Sequence, residues 1–490
     1  MSLTLTLSER SSVLAACYLP AIDLSDGDYE VGLTMVETYD MIPNVHDSND
    51  KFYFGNDDEE ITIPKALRAN YNTMRCEIAT MTDILNVKDE PVFDDRIVKI
   101  EIHTYNPYVN TTFGHSDEIR IPIQQQDLYA LPCESSLYVE GRLTSKEENA
   151  DPKPQLGVNC VAFMFEEIRY ELNGTEIDRG RNVGMTSLLK GYATFSSDYA
   201  YHMENAGFPH PVFDNDVKRL VSSDGYFSFY VPLNMLFGFC EDYKRVVINA
   251  RHELILIRAR NDTNCVKEDP AAEPKLELFK IQWRMPHVTL NEVNKLSMLR
   301  ILENGRYLSM SFRSWDLYEY PLLPSTTKHS WAIKTTTQLE KPRYVIFALQ
   351  TDRKNNMTKY SNYFDNCKLT NVKLYLNSDF FPYDDLNLDW DKRKNAILYD
   401  MFVRFRTSYY QILRERGETL LRADFFRDRF PIAIIDCSLQ NESVKSGTVD
   451  VRLDFELKEN APANTAAYCL IIHDRVIEYN PLTNVVRKIV

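Results

Sequence analysis

Two stretches of this sequence repeat one apolar pattern about 200 residues apart, and that duplication limits the fold more than any other feature. Residues 168–174 (IRYELNG) and 372–378 (VKLYLNS) alternate apolar with polar side chains and end in a turn asparagine, at an offset of 204. A helix-spaced run follows each. Further on, 246–256 matches 447–457 at an offset of 201, and 276–285 and 467–476 can serve as closing strands of the two halves. Asn173-Gly174 is a favourable hairpin turn, because both residues tolerate positive φ. Two like-ordered halves of roughly 200 residues have the size of two domains.

Most of each half reads as short strands. Over 448–457, Val449, Val451, Leu453, Phe455 and Leu457 alternate with Asp450, Arg452, Asp454 and Glu456, the period-two signature of one buried and one wet face. Strands are also expected at 97–103, 118–123, 135–143, 226–231, 246–258, 276–285, 344–350, 372–376 and 467–473. The content of 29 Tyr and 25 Phe suits them. Three helices interrupt. Ile397, Leu398, Met401, Phe402, Phe405 and Tyr409 recur at helical spacing and predict a helix over 391–413. Leu188, Leu189, Tyr192 and Phe195 predict a weaker one over 185–205. Thr289 and Glu292 have the form of a capping box, and Gly305 supplies a stop after Val293, Leu296, Leu299 and Leu302. Many strands with one helix in a long connection per half point to an all-β chain: two tandem jelly-roll β-sandwiches, each with a flanking helix. The expected divisions are an acidic N-terminal segment over 1–83 with partial strands, a first jelly roll over 84–288, a linker helix over 289–306 and a second jelly roll over 307–490.

Charge and motifs narrow the function. The net charge is −15, and residues 1–83 hold 15 Asp/Glu against 5 Lys/Arg. With no basic run, sequence-specific nucleic-acid binding is not expected. The nine cysteines stand singly (Cys17, Cys76, Cys133, Cys160, Cys240, Cys265, Cys367, Cys437, Cys469), without a CxxC pair. No charged-then-apolar leader is seen, and the longest apolar runs, such as 161–165, are too short to span a membrane. A protein that is not secreted is therefore expected, with the sequons at Asn173 and Asn441 unglycosylated. No nucleophile elbow, zincin helix, P-loop or dinucleotide fingerprint occurs. His115-Ser-Asp117 has the HxD form of jelly-roll oxygenases, with His202, His210 or His252 as a distal third ligand, but a polar loop before a strand is the favoured reading. His473-Asp474 reads as a strand-end pair, and the acidic run 57–60 as a solvated loop. Trp315, Tyr318 and Tyr320 alternate with acids and read as exposed aromatics for packing or inter-subunit contact, or for a carbohydrate platform. No catalytic, cofactor or metal residues are assigned.

Several longer segments carry a resemblance. DEIRIPIQQQ at 117–126, EIRYELNG at 167–174, FRSWDLYEYP at 312–321, QLEKPRYVI at 338–346, VDVRL at 449–453 and EYNPL at 478–482 resemble the double jelly-roll major capsid proteins of Polinton/Maverick-type and adintovirus-like elements integrated in invertebrate genomes. The resemblance covers roughly 84–490. It implies a non-enzymatic shell protein, without cofactors, that forms a homotrimer. Six similar sandwiches then make a pseudo-hexagonal capsomer that meets other capsomers around DNA, in a virion-like particle or inside the cell, alongside a minor capsid protein. Segments 29–44, 51–54, 61–64 and 72–78 depart from that plan and resemble a companion single jelly-roll protein of the same elements, shortened and fused ahead of it. That fusion gives weight to a second reading, a host-resident interaction module derived from a capsid protein. A metal-dependent jelly-roll oxygenase is the third.

Overall fold

The computed structural model describes residues 51–53, 60–62, 97–109, 112–124, 129–146, 154–210, 220–268, 273–303, 305, 307–333, 342–412, 419–438 and 449–489. The chain divides into two compact units, Met1–Phe93 and Asp94–Val490. Of the first, β1 (Lys51–Tyr53) and β2 (Glu60–Thr62) are described and pair antiparallel, with Phe52 opposite Ile61. The remaining expectations for 1–83 lie outside the described residues.

The second unit begins with β3 (Ile97–Tyr105), β4 (Glu118–Ile123), β5 (Tyr129–Ala130), β6 (Ser136–Thr144), β7 (Gln155–Leu156), β8 (Phe165–Leu172), β9 (Thr175–Arg181), β10 (Tyr226–Pro232), β11 (His252–Arg258), β12 (Val266–Lys267) and β13 (Lys275–Leu290). It continues with β14 (Leu308–Tyr320), β15 (Lys328–Ile333), β16 (Pro342–Thr351), β17 (Leu369–Leu376), β18 (Asp379–Phe381), β19 (Ile432–Asp436), β20 (Val451–Leu457), β21 (Thr465–Asn480) and β22 (Val485–Ile489). Four main sheets result, two from each half. The first half has the orders β10-β6-β13-β3 and β4-β11-β8-β9; the second has β14-β21-β16-β19 and β15-β20-β17-β18. Taken from one edge, each half repeats the same arrangement of chain-ordered strands, and every named pair in these sheets is antiparallel. Two four-stranded faces of this order make a jelly roll. The fold is a double jelly roll.

The duplication extends to register. Leu172 pairs with His252 and Leu376 with Val451, and the pairing then steps along both ladders to Phe165–Arg258 and Leu369–Leu457, with one residue skipped at the same place in each. Strands β8 and β17 are thus equivalent at the expected offset of 204. For β11 and β20 the pairing gives 199 rather than 201. A two-residue slip keeps every side chain on its own face, which is why apolar matching alone could not detect it. Strands β13 and β21 are both 16 residues long, well beyond the expected 276–285 and 467–473.

The helices shift for local reasons. The expected 185–205 helix is two, α1 (Val183–Thr194) and α2 (Ser197–His202), because Ser196 is extended and its hydroxyl accepts the Tyr199 amide at 3.2 Å, an N-cap. Between them and the second half come α3 (Gly238–Asp242) and α4 (Glu292–Glu303). Thr289 does not cap α4; it stays in β13, and Asn291 accepts the Asn294 amide instead at 2.8 Å. The helix expected over 391–413 is α5 (Ala396–Tyr410), since Asp389 and Lys394 bridge in a turn that delays its start. A shorter α6 (Ala423–Arg429) precedes β19. The expected strand 246–258 begins only at His252; Val247 makes an isolated bridge to Ala130, and Asn249 has φ +52°. Asn173 and Gly174, with φ of +49° and +77°, turn the β8–β9 hairpin as expected.

Candidate functional site

The buried hydrophobic residues of both halves form one continuous cluster, and where the halves meet a set of charges is enclosed. α1 supplies Lys190, and α3 supplies Glu241 and Asp242; from the second half β14 supplies Arg313 and Trp315, and α5 supplies Tyr409 and Tyr410. Close approach depends on Gly238, whose Cβ, if it had one, would lie 1.7 Å from the Arg313 carbonyl oxygen.

Lys190 Nζ donates to both Glu241 oxygens, at 2.7 and 2.9 Å. The Tyr409 hydroxyl donates to Glu241 Oε2 at 2.7 Å and the Tyr410 hydroxyl to Oε1 at 2.6 Å. The ammonium stands over the Trp315 and Tyr409 rings, 4.5 and 4.4 Å from their centroids. Beside it Arg313 grips Asp242 through Nε at 2.8 Å, Nη2 at 2.6 Å and its backbone amide at 2.8 Å. Its Nη1 donates to the Tyr409 carbonyl at 2.7 Å, and its guanidinium lies 3.5 Å from the centre of the Tyr409 ring. Burial pulls the Lys190 ammonium below the usual lysine value against the opposing pull of Glu241. Burial, reinforced by Glu241, holds both tyrosines far above the ordinary phenol range, so they remain donors. Asp178, fully buried on β9, is raised by burial against Arg475, while accepting the Phe239 amide at 2.9 Å and the Ser314 hydroxyl at 2.8 Å. Removing one member of such an enclosed pair leaves an uncompensated charge and costs about 3–5 kcal/mol.

Farther along the seam, Tyr192 donates to the Asn362 carbonyl at 3.2 Å, Arg406 to the Thr194 carbonyl at 3.0 Å, and Tyr479 to the carbonyls of Ile248 and Asn249 at 2.8 and 2.7 Å. A cleft of about 940 Å³ opens beside the charge cluster, lined in part by Tyr199, Glu241, Arg313, Arg343 and Asp474. The carboxylate oxygens of Glu241 and Asp242 are held by protein donors, so the geometry is that of a clamp between two sandwiches.

The residues singled out in the sequence fall elsewhere. Asp117 accepts the Gly114 amide at 2.7 Å in a turn, and His115 is exposed, 3.8 Å from Asp262. His252 is buried, its Nδ1 2.8 Å from the Tyr170 hydroxyl, and His210 Nε2 lies 3.1 Å from Ser197 Oγ. The structure does not gather them, and no cluster of three His, Cys, Asp or Glu residues able to hold a metal ion occurs among the described residues. His473 and Asp474 sit within β21 rather than at its end, because the strand runs on to Asn480. His473 is buried and bonded to Asp316 at 2.8 Å. Burial raises the Asp316 carboxyl, but His473 and the arginines 475 and 179 outweigh it and hold it below the usual range. The aromatics of β14 are not exposed: Trp315 is in the core, and Tyr318 and Tyr320 pack partly buried against it. Asn173 is tied into the fold, accepting the Arg251 amide at 2.7 Å; Asn441 lies outside the described residues. Cys160, Cys240, Cys265 and Cys469 are buried thiols, and burial pushes Cys160 up to about 12. Sequence reasoning missed the clamp, since Lys190 and Glu241 are 51 residues apart and Tyr409 another 168 away.

The model of the double jelly roll-like domain family matches residues 155–477, about two thirds of the chain and parts of both sandwiches. The chain belongs to that family. Solved structures agree with this double jelly roll. The PBCV-1 VP54 structure fitted into a reconstruction of the virophage Sputnik is 12% identical, with a TM-score of 0.51, covering 82% of this chain and 99% of that one. A chain of the Sputnik virophage itself is 8% identical at 0.53, covering 83% and 91%. The Faustovirus major capsid protein is 8% identical at 0.50, covering 84% and 97%. At these identities the likeness is one of fold. No curated protein matches the sequence. Among the described residues no helix is long and apolar enough to cross a membrane.

Proposed function

We propose that this double jelly roll is a non-enzymatic capsid protein of the Polinton/Maverick and adintovirus-like kind, three copies of which form a pseudo-hexagonal capsomer. The observation that carries the reading is the clamp at Lys190, Glu241, Asp242, Arg313 and Tyr409. A shell tile must present two sandwiches at one fixed angle, and a buried, many-membered polar clamp with a glycine-tight backbone contact does that, where a flexible linker would not. The fold neighbours support it: the Faustovirus chain is a major capsid protein by name. In this reading the first jelly roll spans 84–288 and the second 307–490, joined by the linker region 289–306. Capsomers then meet one another and a minor capsid protein, and DNA is held by enclosure in a virion-like particle or within the cell. The acidic residues 1–83 are an added arm.

Light scattering with negative-stain imaging of the same peak tests this. Three chains of 57.1 kDa in a particle of hexagonal outline are expected. A monomer at every concentration overturns the proposal and favours an interaction module descended from such proteins.

A further inference from the structure

Strand β3 is an edge strand, the last in the order β10-β6-β13-β3, and among the described residues β13 is the one strand it pairs with. Edge strands are commonly short, bulged or covered, because their free N–H and C=O groups invite another chain. β3 is bulged against β13 at Val98, yet it is nine residues long and carries exposed apolar side chains, with Val98, Ile100 and Ile102 at 62%, 49% and 52% exposure. Beyond the bulge, Ile100 and Ile102 share one face of the sheet. Lys99 and Glu101 lie on the other and pair at 2.9 Å, each about half exposed.

We infer that β3 is a docking edge for a second copy of this chain, pairing antiparallel with its own counterpart about a two-fold axis through Ile100. Register singles out that axis. In a two-fold antiparallel pairing, opposed residues point to the same face, so the axis must pass through a residue and not between two. Centred on Lys99, the register sets Ile97 against Glu101. Centred on Glu101, it sets Lys99 against His103. Centred on Ile100, it places Lys99 opposite Glu101 of the second copy, twice, and Ile100 opposite the same residue of that copy. Opposite charges and β-branched pairs directly across an antiparallel ladder are the combinations that stabilise it, and this register alone of the three supplies both. The main-chain bonds of strand addition supply affinity, and the side-chain rows supply register. The contact is two-fold, so it joins molecules by a different operator from the three-fold association proposed above and does not depend on it.

The full chain carrying Ile100→Cys, mildly oxidised, tests the geometry, because the introduced thiol lies on the axis and meets the same thiol of the second copy. A covalent dimer on non-reducing gels, absent from the wild type, is expected. Charge reversal tests the register: K99E and E101K each weaken two-fold association at least tenfold in sedimentation, while K99E combined with E101K restores it to within a few-fold. All three alter exposed side chains, and an unchanged far-ultraviolet circular dichroism spectrum confirms the fold. No covalent dimer of the I100C chain, or a double reversal no better than the singles, overturns the inference, whether or not the chain forms trimers. A missing trimer with the I100C dimer intact counts against the capsomer proposal alone.

Discussion

Strands β11 and β20 hold the same place in the two halves, and their contents differ. Each is the partner of a bulged strand, β8 or β17, with the same pairing step by step. Yet His252 stands where β20 has Val451, and Arg258 where it has Leu457. In the first half both of these enclosed side chains find partners, although the Arg258 Nε has none among the described residues. His252 meets the Tyr170 hydroxyl, while Arg258 donates to the Met164 carbonyl and pairs with Asp262. The second half places Leu374 and Val451, both buried and apolar, at the Tyr170 and His252 positions. The lesson is that the ladder, not the identity of the buried side chains, is what was duplicated. A polar insertion is tolerated where its hydrogen bonds are largely met, and a buried imidazole ties the stability of its own strand to pH.

Acid should separate the two strands most. Burial, with the neighbouring His287 charge, pulls the His252 imidazole down to about 3. Its unfolded value is near 6.5. Because the folded value is the lower one, the stability it contributes is full above about pH 6.5 and declines as the unfolded chain takes up the proton. The decline is about 1.4 kcal/mol per pH unit until the folded group protonates. Burial and His103 also lower His287, to about 4, which adds in the same direction. Amide exchange followed by mass spectrometry from pH 7 to 4.5 is expected to accelerate in β11 before β20. Equal acceleration in both would break the contrast.

A second, smaller effect follows from importing the apolar residue of β20 into β11. Arg258→Leu removes a buried guanidinium and leaves Asp262, itself mostly buried, without its partner. A loss of about 2–3 kcal/mol in urea unfolding is expected. A neutral or stabilising result would mean that Asp262 relaxes to solvent.

The smallest effect concerns the histidine itself. His252→Val strands the Tyr170 hydroxyl and should cost about 1–2 kcal/mol at pH 7. Combined with Tyr170→Leu, which completes the apolar pair of the second half, part of that loss should return. The acid sensitivity of β11 should fall with it. Retention of full acid sensitivity in the double variant would assign it to His287 instead.

Much of this fold is legible in the sequence because a half-buried strand writes its period directly into the residues. The alternation in β20, the pattern shared by β8 and β17, and the Asn173-Gly174 turn were all readable on that ground. Where several local signals compete, reading falters. Thr289 had a capping partner in Glu292, but β13 retained it, since ladder bonds to β3 outweighed a cap that Asn291 could supply two residues later. Trp315 looked exposed because it alternates with charged neighbours; it is buried because Lys190 and the second-half core close over it.

By itself the sequence determined that this chain would form two like sandwiches, since alternation, turn residues and the spacing of the repeat are all local or periodic properties. Only the tertiary structure decided how those sandwiches are joined. The clamp draws Lys190, Glu241, Arg313 and Tyr409 from four separate elements. None has a pattern of its own, because a buried charge is permitted only by partners that long-range folding brings to it.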